Sequence, residues 1–213
     1  PQQGPHKVSV NARLRARTMH FALLGHEFAY MVRRLNVLQA IEGWSTTKAV
    51  QHHIVLLHTA DAERMKSAVI AGTTLLPRDR TSTHSMDTLP PATRKLHHLM
   101  TANVTSGPGA SPCWKLLAPF LPSRALVDRR VSLDSDMLFL QDPHSLWTSF
   151  DDFSSPHLVG AALNHDGIVG FNSGVLLLEL SRMRGERSEW MHALQTGVRA
   201  LRQSNVRLGW LAD

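Results

Sequence analysis

The chain has 213 residues, 43% of them apolar and 19% charged, which suits one globular domain and excludes a disordered or fibrous chain. No run approaches the ~18 apolar residues of a membrane-spanning helix, and the single cysteine, Cys113, excludes an internal disulfide, a cysteine-based zinc cage and a CxxC redox pair. The net charge of +6 comes from 18 Arg and 5 Lys, scattered rather than clustered and accompanied by one Tyr, so a solvated Arg-rich surface or a preference for small anions accounts for it and a nucleic-acid face does not.

Residues 1–17 are polar and basic with Pro1, Gly4 and Pro5, and read as a linker or ragged edge. Met19 to Leu24 is an apolar run closed by Gly25, the pattern of a buried strand. From Glu27 to Ile41 the apolar positions Phe28, Met31, Val32, Leu35, Leu38 and Ile41 recur every three or four residues, which predicts one amphipathic helix ending near Gly43. His53 to Leu57 predicts a second strand, followed by a helix over Ala62 to Ile70 with Asp61 as its cap. Strand, helix, strand, helix is the alternation of an α/β domain with a largely parallel sheet. Residues 72–112, rich in Thr, Ser, Pro and Gly, are expected to hold little firm structure and form an insertion.

Trp114 to Leu121 then predicts a short helix that Pro119 bends or ends. Arg130 to Leu133 climbs as a strand into Asp134-Ser135-Asp136, and Met137 to Leu140 reads as another strand-like piece. A turn at Asp142-Pro143 opens a helical stretch through Leu146, Trp147 and Phe150, the last two expected in the core. His157 to Leu163 and Val175 to Leu180 read as strands, and Ser181 to Gln203 as a helix. The thirteen histidines match no metal-ligand spacing and are expected to be solvated or packed.

Asp134 and Asp136 stand two residues apart at the end of an apolar strand, so an extended backbone sends both carboxylates the same way. Hard oxygen donors of this kind suit Mg²⁺ or Mn²⁺ together with substrate phosphates, and open α/β sheets bind ligands beyond the carboxyl ends of their strands. By itself Asp-x-Asp is equally a turn with two capping carboxylates.

The longer pattern is more specific. The stretch from Arg130 to Pro143, with Leu146-Trp147 and Phe150, followed by Phe171-Asn-Ser-Gly-Val-Leu-Leu-Leu178, resembles the family 8 glycosyltransferases. The resemblance covers residues 110–213, and 19–60 more loosely. It implies a retaining, metal-dependent enzyme of the GT-A fold, a Rossmann-like nucleotide-sugar-binding domain with a mixed, mostly parallel sheet over 18–213. Such an enzyme transfers a sugar from a UDP-sugar donor to a glycan or glycoprotein acceptor.

Carried over by residue, the resemblance puts Mn²⁺ (or Mg²⁺) on Asp134 and Asp136. Tyr30, Lys115, Asp134, Ser135, Asn172 and Ser173 fall around the nucleotide sugar, Asp134 toward the donor ribose as well as the metal, and Gly174 allows close backbone approach. Asn172 and Asp213 lie near the reacting sugar, Asp213 standing where the family carries an acidic Asp-Gln segment. No residue is assigned as nucleophile. The family continues beyond that point with a further metal-binding His, so the sequence is expected to be a piece of a longer protein and its activity alone is in question. The xylosyl- and glucuronyl-type branch of the family implies a Golgi or ER lumen setting, to which the Asn103-Val104-Thr105 sequon adds little, with the cytoplasm as the alternative. The competing expectations are a transferase-like domain that binds nucleotide or glycan without turnover, and a phosphatase of the haloacid dehalogenase type.

Overall fold

The computed structural model describes residues 18–25, 27–46, 49–101, 111–121, 127–163, 171–185 and 187–204. Six strands form one mixed sheet: β1 Met19–Gly25, β2 Val50–Leu56, β3 Thr81–Ser85, β4 Arg129–Leu133, β5 Val159–Leu163 and β6 Phe171–Glu179, in the spatial order β3-β2-β1-β4-β6-β5. The first four are mutually parallel, whereas β6 runs antiparallel to β4 and β5 antiparallel to β6.

The apolar runs of β1 and β2 follow from their central place. Met19, Phe21 and Leu23 enter one core with Val50, Ile54 and Leu56, while Ala22, Leu24 and Val55 face a second core on the other side. A strand buried on both faces loses the polar alternation of a half-exposed one. The first core is closed by helices α1 Phe28–Arg34, α2 Asn36–Trp44 and α3 Thr59–Ile70, and by Phe150. The second is closed by α4 Pro91–Thr101, α5 Ser111–Leu117 and α8 Glu189–Ser204. In chain order α6 His144–Thr148, which packs Leu146 and Trp147 on the first core, and α7 Leu180–Met183, part of a smaller third cluster, fall between α5 and α8.

Several expectations change. The helix predicted from Glu27 to Ile41 is two helices that meet at buried Leu35 (φ −63°, ψ −14°). Asn36 opens the second piece, a residue type that competes with helix interiors through its own side-chain bonding. Asp61 is not the cap of α3: the helix starts at Thr59, whose N–H and hydroxyl donate to Asp87 Oδ2 at 2.9 and 3.3 Å. Asp61 instead sits in the first turn, 3.6 Å from Arg64.

Residues 72–112 are ordered through β3, α4 and the start of α5, with 102–110, and the Asn103 sequon among them, outside the described residues. β3 is an edge strand of sequence TSTHS, half-buried, so its side chains carry no apolar signal. Met137 to Leu140 pairs with no strand among the described residues. Met137 and Phe139 pack on the first core, while Leu138 and Leu140 are exposed, an alternation of burial without ladder bonds. The single helix expected over Ser181 to Gln203 is divided at Gly185, whose φ of +96° ends α7 before α8 begins.

Candidate functional site

Between β1 and β4 the strand order reverses, since the chain builds β1-β2-β3 to one side and returns to lay β4 on the other. Such a reversal opens a crevice beyond the carboxyl ends of the two strands. Leu133 is the last residue of β4, so Asp134 enters that crevice, and its N–H still donates to Gly174 O at 2.8 Å, continuing the contact with β6.

Ser135 and Asp136 turn away from the strand direction. The two carboxylates therefore do not share one extended face as the spacing predicted. Asp134 is half-buried and Asp136 exposed in the turn that follows.

Lys115 reaches Asp134 from across the second core. Its ammonium lies 2.5 Å from Asp134 Oδ1 and donates to Ser173 O at 2.5 Å, and the residue is only 4% exposed. Its chain neighbours hold it there. Trp114 is buried and its indole N–H donates to His97 of α4, while Leu116 O accepts from Trp190 Nε1 of α8 at 2.9 Å. An ammonium so placed neutralises one carboxylate and leaves its remaining N–H for an anion in the crevice.

On the β1 side, the Tyr30 hydroxyl is 2.8 Å from Ser135 Oγ. The tyrosine ring is exposed and carries the Arg34 guanidinium 5.5 Å from its centroid. On the β6 side, Asn172 and Ser173 are exposed, and Asn172 Oδ1 accepts from Gly174 N at 2.7 Å, so the amide NH₂ is the group Asn172 has left to donate. A Cβ on Gly174 would stand 2.8 Å from Asn172 Oδ1 and 3.4 Å from Asp134 Oδ2. Gly174→Ala is accordingly expected to displace Asn172 and weaken any ligand binding here several-fold with the fold retained, as comparison of ligand titrations with urea melts would show.

Tyr30, Lys115, Asp134, Ser135, Ser173 and Asn172, predicted from positions between 30 and 173, thus meet in one crevice, with Asp136 in the exposed turn beside it. Asp213 lies outside the described residues. Among the described residues no three His, Cys, Asp or Glu side chains converge as a metal cage. Arg34 was missed, although its place four residues after Tyr30 on one helix would have set it over the ring.

The arrangement is a crevice with two carboxylates, a buried ammonium and an exposed aromatic ring, built on a sheet shared by known enzymes. Mouse xyloside xylosyltransferase 1 superposes with a TM-score of 0.65 at 18% identity, over 89% of this chain and 77% of that one. An active-site mutant of LgtC superposes at 0.63 with 16% identity, over 90% of this chain and 66% of its own. The glycosyltransferase GlyE of Streptococcus pneumoniae TIGR4 gives 0.56 and 14%, over 90% of this chain and 41% of that one. The chain therefore spans two thirds or less of the length of the latter two. The fold is the GT-A fold of glycosyltransferases. No protein-family model matches the chain, and no curated protein matches it in sequence.

Proposed function

We propose that this chain is the donor-binding part of a metal-dependent retaining glycosyltransferase that moves a sugar from a UDP-sugar to a glycan or protein acceptor. The observation that carries the reading is the buried Lys115 ammonium fixed between Asp134 and Ser173 O at the sheet's reversal point. Its support is the GT-A fold and the family 8 pattern around Asp134 and Asn172.

In this reading the Tyr30 ring offers a face to the uracil, with its hydroxyl held by Ser135. Lys115 donates to diphosphate oxygens. Asn172 donates its free amide N–H near the sugar, and the missing Cβ at Gly174 lets the donor approach the backbone. The donor set fits a hard divalent cation, because Mg²⁺ and Mn²⁺ are commonly held by one or two carboxylates completed by phosphate oxygens and water. Asp134 and Asp136 would hold it, and the cation would supply charge neutralisation at the leaving diphosphate, a contribution of several kcal/mol. The lumen of the Golgi or ER is the setting proposed with this reading, and the cytoplasm its alternative.

Calorimetric titration of UDP into the purified chain, with and without Mn²⁺, tests the proposal. Binding that requires Mn²⁺ is expected. A cooperatively folded chain that takes up UDP in neither condition would remove the donor-site reading, and release of phosphate from small phosphate esters would favour the phosphatase instead.

Lys115→Met is expected to lower UDP affinity at least about tenfold, because a charge-assisted contact to phosphate is lost. It should also destabilise the fold by roughly 1–3 kcal/mol, since Ser173 O and Asp134 lose their shared partner. Titration and urea melts of the same preparation measure both, and Lys115→Arg should recover part of the binding.

A further inference from the structure

A second polar cluster lies away from the crevice, on the sheet face that carries Ala22, Leu24 and Val55. His20 Nδ1 is 3.0 Å from His53 Nε2, and His53 Nδ1 is 3.2 Å from His84 Nε2 and 2.8 Å from Ser82 Oγ. The rings of His20 and His53 stack with centroids 5.3 Å apart. The row thus runs across β1, β2 and β3. It continues onto β4, because Phe21 pairs with Val131 and so sets Arg130 beside His20.

Arg130 is 4% exposed, and neither its Nε nor its Nη2 has a hydrogen-bond partner. No carboxylate among the described residues forms an ion pair with it, and the charge that bears on it is the like charge of Arg184. Burial, then Arg184, push its guanidinium down to about 10, and burial followed by Arg130 pushes His20 and His84 down to about 4. Positive and basic groups therefore gather in the sheet, and no carboxylate among the described residues pairs with Arg130. A buried charge is ordinarily retained only where it is paired.

The orphaned atoms have a particular shape. Nε–H and Nη2–H form the side-on edge of a guanidinium, two parallel donors that match two oxygens of one anion. The neutral imidazoles have one N–H each, so their bonds must run in a single direction. Run from His84 toward His20, they leave His20 Nε2–H as a third donor beside Arg130.

We infer that this seam is a phosphate-binding site, with Arg130 donating side-on to two oxygens and His20 to a third. Arg130 precedes Asp134 by four strand residues, about 13 Å, so the site is separate from the crevice. His53 and Ser82 act as positioning residues that orient His20, and half-buried His20 and His84 are the part of the seam that meets solvent.

The test is thermal unfolding at pH 7.5 in inorganic phosphate against chloride at matched ionic strength, for the wild type, Arg130→Met, Arg130→Lys and Lys115→Met. Phosphate at about ten times its Kd should raise the wild-type midpoint by roughly 3 °C or more. The increment should vanish in Arg130→Met and in Arg130→Lys, which keeps the charge but not the side-on pair, and should survive in Lys115→Met. If Arg130→Met does not fold, Arg130→Lys carries the comparison. Equal midpoints in the two salts overturn the inference, as does an increment that persists in the Arg130 variants. Loss of the increment in Lys115→Met would do the same by placing the phosphate in the crevice.

Discussion

Asp136→Ala is expected to abolish Mn²⁺-dependent UDP binding while changing the stability of the chain by no more than about 0.5 kcal/mol. The asymmetry between the two acids of the motif is the reason. Asp136 is exposed and forms no hydrogen bond or ion pair with another described residue, so its carboxylate does nothing for the fold. Asp134 by contrast holds the buried Lys115 ammonium at 2.5 Å. Asp134→Ala should therefore lose UDP binding and also destabilise the chain by about 3 kcal/mol, since it leaves a nearly buried charge with only a carbonyl for a partner. Titration of UDP with Mn²⁺ and urea denaturation of both variants separate the two effects. Undiminished binding by Asp136→Ala would take the cation out of the proposed site.

The parts of the molecule legible in the sequence are those where one local pattern suffices. Continuous apolar runs marked β1 and β2 because both their faces are buried, and the three-and-four spacing marked the helical segment after β1. The crevice was legible through two short motifs, Asp134 to Asp136 just past the end of β4 and Phe171 to Gly174 at the start of β6, whose strands pair with each other. What was not legible depends on partners far along the chain. The first N–H of α3, that of Thr59, is taken by Asp87, 28 residues away, and no reading of Asp61 could reveal that. β3 is recognisable only from its pairing with β2, because an edge strand of Thr, Ser and His has no apolar alternation to display. His20, His53 and His84 fall on three strands whose order and register the sequence does not state, so they read as unrelated packed residues. Arg130 opens a predicted strand, and its burial shows only once the sheet is assembled.

The same histidines make the chain sensitive to mild acid. His20 and His84 are held down to about 4 and His53 well below its usual 6.5, in each case by burial first and Arg130 second; His84, His20 and His52 add to the shift of His53. In the unfolded chain all three return to about 6.5. A histidine with a depressed native pKa contributes stability above the unfolded value and loses it as the pH falls, because the unfolded chain then binds protons that the native state refuses. His20 and His84 each remove up to ~1.4 kcal/mol per pH unit between 6.5 and about 4. These two should therefore lower stability by roughly 2.7 kcal/mol between pH 7.5 and 5.5, and His53, shifted the same way, deepens the loss. His52 adds to this more weakly, since burial lowers its pKa while Glu42, at 2.6 Å, pulls it back up. Against a total of about 5–15 kcal/mol, a loss of that size brings a marginal domain to unfolding near pH 5, well above the range in which carboxylates titrate. Urea melts at pH 7.5, 6.5 and 5.5 would show it, and His84→Gln on the half-buried edge strand should make the slope shallower. Stability that is level from pH 7.5 to 5.5 would mean that the imidazoles take up protons in the native state, and that the seam opens to water more readily than its burial implies.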